Sequence, residues 1–290
     1  MSKPKVIVTR RWPEAVEKVL LERFDTQLNK DDHPMSVAEM QNALRNADAV
    51  LPTVSDKVSA EVLGIGDIRA RILGSNGVGF NHIDLAAAEA AGLTVTNTPE
   101  VLTDCTADLA MTLIMMVARR AGEGERHVRS KAWTGWRPTH MMGTSVSGKT
   151  LGMIGMGRIA RAVAARAAHG FGMNIIFHDP FPPAVQDLAG LNATACASRE
   201  EVYAKADFVS LHCPGGKETY HLIDADAFAA MKPGAFLINT ARGDVVEEAA
   251  LVTALRKGEI AGAGLDVFEK EPAVADDLLS MENVVLLPHL

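Results

Sequence analysis

Cysteine is the first shortage. The 290 residues include only three, Cys105, Cys196 and Cys213. An odd, sparse set with no Cys-x-x-Cys spacing argues against a disulfide framework or a structural zinc site, and no metal is expected. Reduced, buried thiols in a cytoplasmic protein are the plain reading. Positive charge is short as well. With 29 Lys and Arg against 36 Asp and Glu, the net charge is −7. Nucleic-acid affinity rests on Lys and Arg neutralising phosphates, so no nucleic-acid partner is expected. The acidity names no partner of its own and mainly favours solubility. Long hydrophobic runs are also missing. The oiliest stretch, 109–118, lies between Asp108 and Arg119, whereas a membrane span needs about 20 apolar residues. It reads as a buried helix, and no membrane association is expected. The N-terminus leads straight into Val6, Ile7 and Val8, too short a run for a signal-peptide core. Neither low-complexity segments nor short repeats interrupt the chain.

What is present is ordinary globular material, 48% hydrophobic and 22% charged. A single core rarely grows beyond about 250–300 residues, so this length favours two domains. Strand-like and helix-like segments alternate. Val6, Ile7 and Val8 read as a buried strand. Ala15, Val16, Val19, Leu20 and Phe24 recur at helical spacing. Ser36 and Glu39 form a capping box that opens a second helix. Short apolar runs follow at 49–51 and 72–73, then an alanine-rich helix over 84–91 stopped by Gly92, then a strand over 93–96. This β-α-β rhythm predicts a parallel sheet with helices on its faces. Thr98 and Pro99 interrupt it, and the main boundary is placed at 98–100. After a long helix and a loop around 133–138, strands are predicted at 151–154, 173–178, 207–211, 235–239, 261–267 and 284–287. Ser198 and Glu201 read as another capping box. The fold class is therefore α/β, with two doubly wound parallel-sheet domains of Rossmann or flavodoxin-like type.

The sharpest local signal is Gly155-Met156-Gly157-Arg158-Ile159-Ala160, which follows the strand at 151–154 and opens a helix. A G-x-G-x-x-A run in that context is a dinucleotide fingerprint. Gly155 permits a tight turn, Gly157 lets a pyrophosphate approach the backbone, and Ala160 lets helix and strand pack closely. The helix N-terminus presents free N–H groups to the phosphates, and Arg158 can add a contact. Asp179 closes the next strand, about 20 residues on, where a ribose ligand is expected. Its carboxylate can accept from the 2′-hydroxyl of NAD and would repel the 2′-phosphate of NADP. No Arg follows in Pro180-Phe181-Pro182-Pro183. NAD is favoured over NADP.

Three more segments each lie just past a predicted strand: Asn239-Thr240-Ala241-Arg242-Gly243, then 264–272 with Asp266, Glu269 and Glu271, then Leu287-Pro288-His289. In open α/β sheets that edge carries the ligand crevice. This ordered set resembles the D-isomer-specific 2-hydroxyacid dehydrogenase family, and most nearly its glyoxylate/hydroxypyruvate reductase and D-glycerate dehydrogenase branch. The resemblance runs from the first strand to residue 290. It includes Gly74-Ser75-Asn76-Gly77-Val78-Gly79-Phe80 and the loop over 136–143.

The resemblance implies residues 1–98 as a substrate-binding domain and 99–287 as an NAD-binding Rossmann domain, with the active site in the cleft between them. Residues 288–290 would begin a segment returning to the first domain, and the protein is expected to continue past Leu290. Arg242 would bind the substrate carboxylate, since a planar guanidinium matches a carboxylate in bidentate fashion. His289 would be the acid/base, having an intrinsic pKa near neutrality. Glu271 would be its partner carboxylate, although on sequence alone Glu269 serves as well. Asn76, Gly77, Val78 and Gly79 would bind the substrate carboxylate through backbone amides, and Asp266 would contact the nicotinamide carboxamide. Thr106, His212, Pro214, Thr240 and Ala241 fall near family cofactor contacts. The expected reaction is NAD(P)-dependent reduction of a small 2-oxo acid, glyoxylate or hydroxypyruvate, to the D-2-hydroxy acid, and its reverse. The alternative is a non-catalytic NAD-sensing regulator on the same fold. A homodimer is expected, with the oily 105–118 helix as a candidate interface.

Overall fold

Residues 2–290 are described by a computed structural model. The chain divides between Leu102 and Thr103 into two units, each built on one parallel sheet. The α/β doubly wound expectation therefore holds for both.

In the first unit the strands are β1 (Lys5–Val8), β2 (Asp25–Gln27), β3 (Ala49–Leu51), β4 (Ile72–Gly74) and β5 (Thr94–Thr96), in the order β2-β1-β3-β4-β5. Four of these follow the apolar runs. The edge strand β2 was missed, because Asp25, Thr26 and Gln27 have no apolar alternation to show. The helices are α1 (Glu14–Arg23), α2 (Val37–Asn46), α3 (Ala60–Leu63) and α4 (Leu85–Ala90). The Ser36 and Glu39 capping box closes in both directions at the start of α2. Ile7, Leu44, Val50, Val62 and Leu73 anchor the core. Helix α1 forms at the expected spacing but buries none of its residues, and Val16 and Val19 are exposed.

The second unit carries β6 (Thr150–Ile154), β7 (Asn174–His178), β8 (Ala193–Ala195), β9 (Phe208–Leu211), β10 (Phe236–Asn239), β11 (Gly262–Leu265) and β12 (Val284–Leu286). Their order is β12-β11-β10-β9-β6-β7-β8, so connectivity reverses beside β6, the position where such sheets bind ligands. The short edge strand β8 was missed. Helices α5 (Thr103–Ala118), α6 (Ala121–Arg129), α7 (Arg158–Phe171), α8 (Arg199–Lys205), α9 (Ala225–Ala230), α10 (Glu248–Lys257) and α11 (Asp276–Ser280) cover the sheet or connect its strands.

Helix α5 corrects one expectation. Its apolar side, including Ala107, Ala110, Leu113, Ile114 and Val117, is buried within its own unit. That face is core and is not available as a subunit interface. A second correction concerns α8. Ser198 accepts from the Glu201 amide, but Glu201 Oε2 accepts from Ala197 rather than Ser198, so the box is only half made. A third concerns the thiols. Cys196 is buried and Cys213 half-buried, but Cys105 is exposed. Among the described residues no helix is long and apolar enough to cross a membrane.

Candidate active site

Because every strand of the second sheet is parallel, the segments leaving β6, β7, β9, β10, β11 and β12 emerge on one edge. The residues singled out from the fingerprint onward leave the sheet here. Helix α5 runs against the strands, since Val117 lies over Gly262 while Leu113 lies over Gly264. Its first turn, with Thr106, is thus carried toward the same edge.

At the fingerprint, Gly155 has φ +90°, and a Cβ there would lie 2.9 Å from the carbonyl carbon and oxygen of His212. This turn needs glycine for both reasons. Gly157 differs: it is exposed, and a Cβ would meet nothing within 4 Å. Its missing side chain leaves space that the protein itself does not use. Ala160 is fully buried under the sheet, and Arg158 and Ile159 begin α7. Asp179 Oδ2 accepts from the Met156 amide at 2.7 Å, and Oδ1 accepts from Phe181 at 2.8 Å. These bonds lash the end of β7 to the fingerprint loop and leave further lone pairs on the carboxylate. Gly157→Ala is therefore expected to leave the melting temperature unchanged while weakening dinucleotide binding roughly 10–100-fold, the equivalent of ~1–3 kcal/mol of overpacking. Gly155→Ala is expected to destabilise the unit itself. Thermal melts and NADH fluorescence titration would separate the two, and a lower melting point for Gly157→Ala with unchanged affinity would contradict this assignment.

Further along the edge, His212 Nε2 lies 2.9 Å from Ser210 Oγ. Burial pushes its pKa down to about 4, so the imidazole is neutral near pH 7. Pro214 follows on the surface. After β10, Asn239 folds its own loop: its Nδ2 donates to Arg242 O and its Oδ1 accepts from Ala241 N. Between them the Thr240 hydroxyl is buried with no hydrogen-bond partner among the described residues. An orphaned buried hydroxyl at a ligand edge is costly unless something bound there satisfies it. With the open space at Gly157, it makes the edge fit a nicotinamide dinucleotide.

Arg242 is half-buried, with Nη1 donating to Ala241 O at 2.6 Å. Burial lowers its pKa, opposed by the charges of Glu271 and Asp244, and a guanidinium remains ionised regardless. Behind it Gly243 packs so tightly that a Cβ would fall 1.8 Å from Phe268 O. Asp266 is buried just past β11; its amide donates to Asn239 O, and its Oδ1 accepts from Leu290 N at 2.9 Å. Burial raises its pKa, partly offset by that amide and by the charge of His289.

His289 and Glu271 meet directly, with Nδ1 2.8 Å from Oε2. The other carboxylate oxygen, Oε1, accepts from Phe268 N at 3.0 Å. The hydrogen bond to Glu271 raises the His289 pKa above its ordinary 6.5, against the lowering effects of burial and of Arg242. Burial pushes Glu271 upward, but the His289 bond, the Phe268 amide and the nearby cations outweigh it and hold it below the usual range. Glu269, which the sequence left as a rival, is placed elsewhere, beside His221 and Glu248. Sequence reading missed this Glu248, Glu269 and His221 cluster. Only the fold joins residues so far apart, and no local spacing marks them.

In the first unit the loop after β4 is partly engaged. Asn76 N donates to Pro52 O at 2.8 Å and Gly77 N to Thr98 Oγ1 at 3.1 Å. The amides of Val78 and Gly79 carry no intrachain bond among the described residues.

Residues 111–290 match the description "D-isomer specific 2-hydroxyacid dehydrogenase, NAD binding domain". The chain is 42% identical to a glyoxylate reductase of Thermococcus onnurineus, over 99% of this chain and 86% of that one. It is 36% identical to a glycerate dehydrogenase of Hyphomicrobium methylovorum, over 100% and 90% respectively. The solved NADPH-dependent glyoxylate/hydroxypyruvate reductase of Sinorhizobium meliloti, in complex with NADP and malonate, superposes with a TM-score of 0.87 at 34% identity, covering 99% of this chain and 86% of that one. The fingerprint edge, the pair of His289 and Glu271 and these whole-chain likenesses lead to one conclusion: the chain is an oxidoreductase belonging to the D-isomer-specific 2-hydroxyacid dehydrogenase family.

Proposed function

We propose that this chain reduces a small 2-oxo acid, glyoxylate or hydroxypyruvate, to the D-2-hydroxy acid with NADH, and catalyses the reverse. The observation that carries this is the 2.8 Å contact of His289 with Glu271 on the edge that also bears Arg242. The names of the relatives support the choice of substrate.

When bound, the nicotinamide supplies hydride to C2 of the oxo acid or takes it back. Arg242 holds the substrate carboxylate and polarises the 2-oxo group with donors not committed to Ala241. His289 keeps Nδ1–H on Glu271 and gives the Nε2 proton to the carbonyl oxygen; in reverse, Nε2 takes it. Glu271 orients the ring and stabilises the imidazolium. On the family resemblance, the loop of Asn76, Gly77, Val78 and Gly79 takes part in binding the carboxylate, and the unengaged amides of Val78 and Gly79 are its donors. Gly155, Gly157, Arg158 and Ile159 serve the dinucleotide phosphates, and Asp179 the ribose. Asp266 serves the carboxamide. Thr106, His212, Pro214, Thr240 and Ala241 line the rest of the cofactor path.

NADH oxidation with glyoxylate, hydroxypyruvate, pyruvate and 2-oxoisocaproate tests the reading. Tight NADH binding without turnover of any of them would favour an NAD-sensing role instead.

NAD is proposed over NADP because the carboxylate of Asp179, tied to the fingerprint loop at the end of β7, stands where a ribose ligand is expected and would repel a 2′-phosphate. The Sinorhizobium meliloti relative is NADPH-dependent, so the fold alone does not decide this. Asp179→Asn is expected to raise the NADPH-to-NADH ratio of kcat/KM roughly 10–100-fold by removing like-charge repulsion. An unchanged ratio would refute the assignment.

A homodimer is proposed as the functional unit. Its support is a stretch after α6 where Trp133, Trp136 and Met142 are exposed, Trp136 by 81%, large apolar side chains that a subunit contact would cover. Sedimentation would test it.

A further inference from the structure

We propose that Glu248, Glu269 and His221 form a clamp that positions the acid/base pair relative to Arg242. The proposal rests on the reading of His289 and Glu271 as that pair. The two glutamates bond reciprocally: Glu248 Oε1 accepts from the Glu269 amide at 2.7 Å, and Glu269 Oε2 accepts from the Glu248 amide at 3.3 Å. Each side chain thus fixes the other's backbone, and the Glu248 amide so satisfied is the first of α10. Glu269 Oε1 lies 3.3 Å from His221 Nε2, an ion-pair distance without hydrogen-bond alignment. Tyr220 stacks on the His221 ring at 3.9 Å.

What this clamp joins gives it a role. On one side runs the segment from Arg242 to Glu248. It is stitched to 221–223 by His221 N to Asp244 O and Ile223 N to Val245 O, and Glu247 N returns to Ile223 O. On the other side runs the turn over 267–272. There Phe268 N holds Glu271 Oε1, and Glu271 Oε2 holds His289. Gly243, next to Arg242, lies against Phe268 O with no room for a Cβ. The clamp therefore sits where the strap carrying the carboxylate binder abuts the turn carrying the proton-donor partner. A displacement of about 1 Å between such groups costs on the order of 10²-fold in rate. All three are positioning residues. No contact with a reacting atom is assigned to them.

The test uses the whole chain with NADH and the best oxo acid. Glu269→Ala and Glu248→Ala attack the clamp from opposite sides, and Glu269→Gln keeps an acceptor for the Glu248 amide. Glu271→Gln is the reference. Expected for both alanine variants is a 10–100-fold fall in kcat, roughly, with NADH affinity unchanged. Their alkaline limb for reduction should move to lower pH, toward that of Glu271→Gln, and Glu269→Gln should recover most of the rate. If Glu271→Gln shifts the limb but both alanine variants keep the wild-type limb, the clamp proposal fails alone, even if they melt earlier. If Glu271→Gln leaves the limb in place, the acid/base reading fails and takes the clamp with it.

Discussion

Arg242→Ala is expected to lower kcat/KM for the oxo acid by roughly 10²–10⁴-fold, the equivalent of about 3–5 kcal/mol for removing one partner of a desolvated charge pair. The guanidinium is half-buried and lies within electrostatic reach of Glu271 and His289. A substrate carboxylate entering that environment would lose its hydration and meet no replacement cation at this position. Arg242→Lys should recover only part of the loss, because an ammonium lacks the planar fork. Among the described residues Arg242 makes a single side-chain hydrogen bond, to Ala241 O, so the alanine variant should melt close to wild type. A second signature follows from charge. Arg242 lowers the His289 pKa, so residual reduction in Arg242→Ala should persist to higher pH than in wild type. Steady-state kinetics across pH would check both. A loss of less than tenfold would remove Arg242 from the substrate site.

The second large effect belongs to the pair of His289 and Glu271. With His289 as the proposed acid/base, reduction would require imidazolium, so its rate should be full below the His289 pKa and fall as pH rises through it. Oxidation requires neutral imidazole and shows the opposite limb. Glu271 holds that pKa above 6.5. Glu271→Gln removes the main raising influence and leaves the lowering ones, burial and Arg242. Both limbs should therefore move to lower pH, and reduction above neutrality should suffer most. His289→Gln should cost about 10²–10⁴-fold, the usual worth of a general acid/base, and abolish the limb. pH–rate profiles in both directions test this. A limb that survives in His289→Gln would assign the proton to another group.

Much of the second unit was legible because its signals are local. The fingerprint needs only a few consecutive residues after an apolar run, and β6, β7, β9 and β10 fall within a residue of their predicted bounds. The edge strands β2 and β8 were not legible, since an edge strand borrows its order from a neighbour and needs no apolar pattern of its own. Helix α1 shows the converse. Its spacing predicts a helix correctly, but periodicity says nothing of what the apolar face packs on, and the unit leaves it exposed. Glu269 and Glu271 are indistinguishable by spacing alone. The fold separates them, placing one against His289 and the other against His221.

The α/β class, the dinucleotide fingerprint and the family are legible in the amino-acid order, because these rest on short-range periodicity and on residue types that carry their chemistry with them. The folded chain alone settled which carboxylate meets the histidine, which amides of the loop of Asn76, Gly77, Val78 and Gly79 stay unengaged, and that the buried helix read at 109–118 spends its apolar face on its own unit rather than on a partner. Hydrogen bonds and burial at these places join turns distant along the chain, and such pairings exist only once each parallel sheet aligns the carboxyl ends of its own strands.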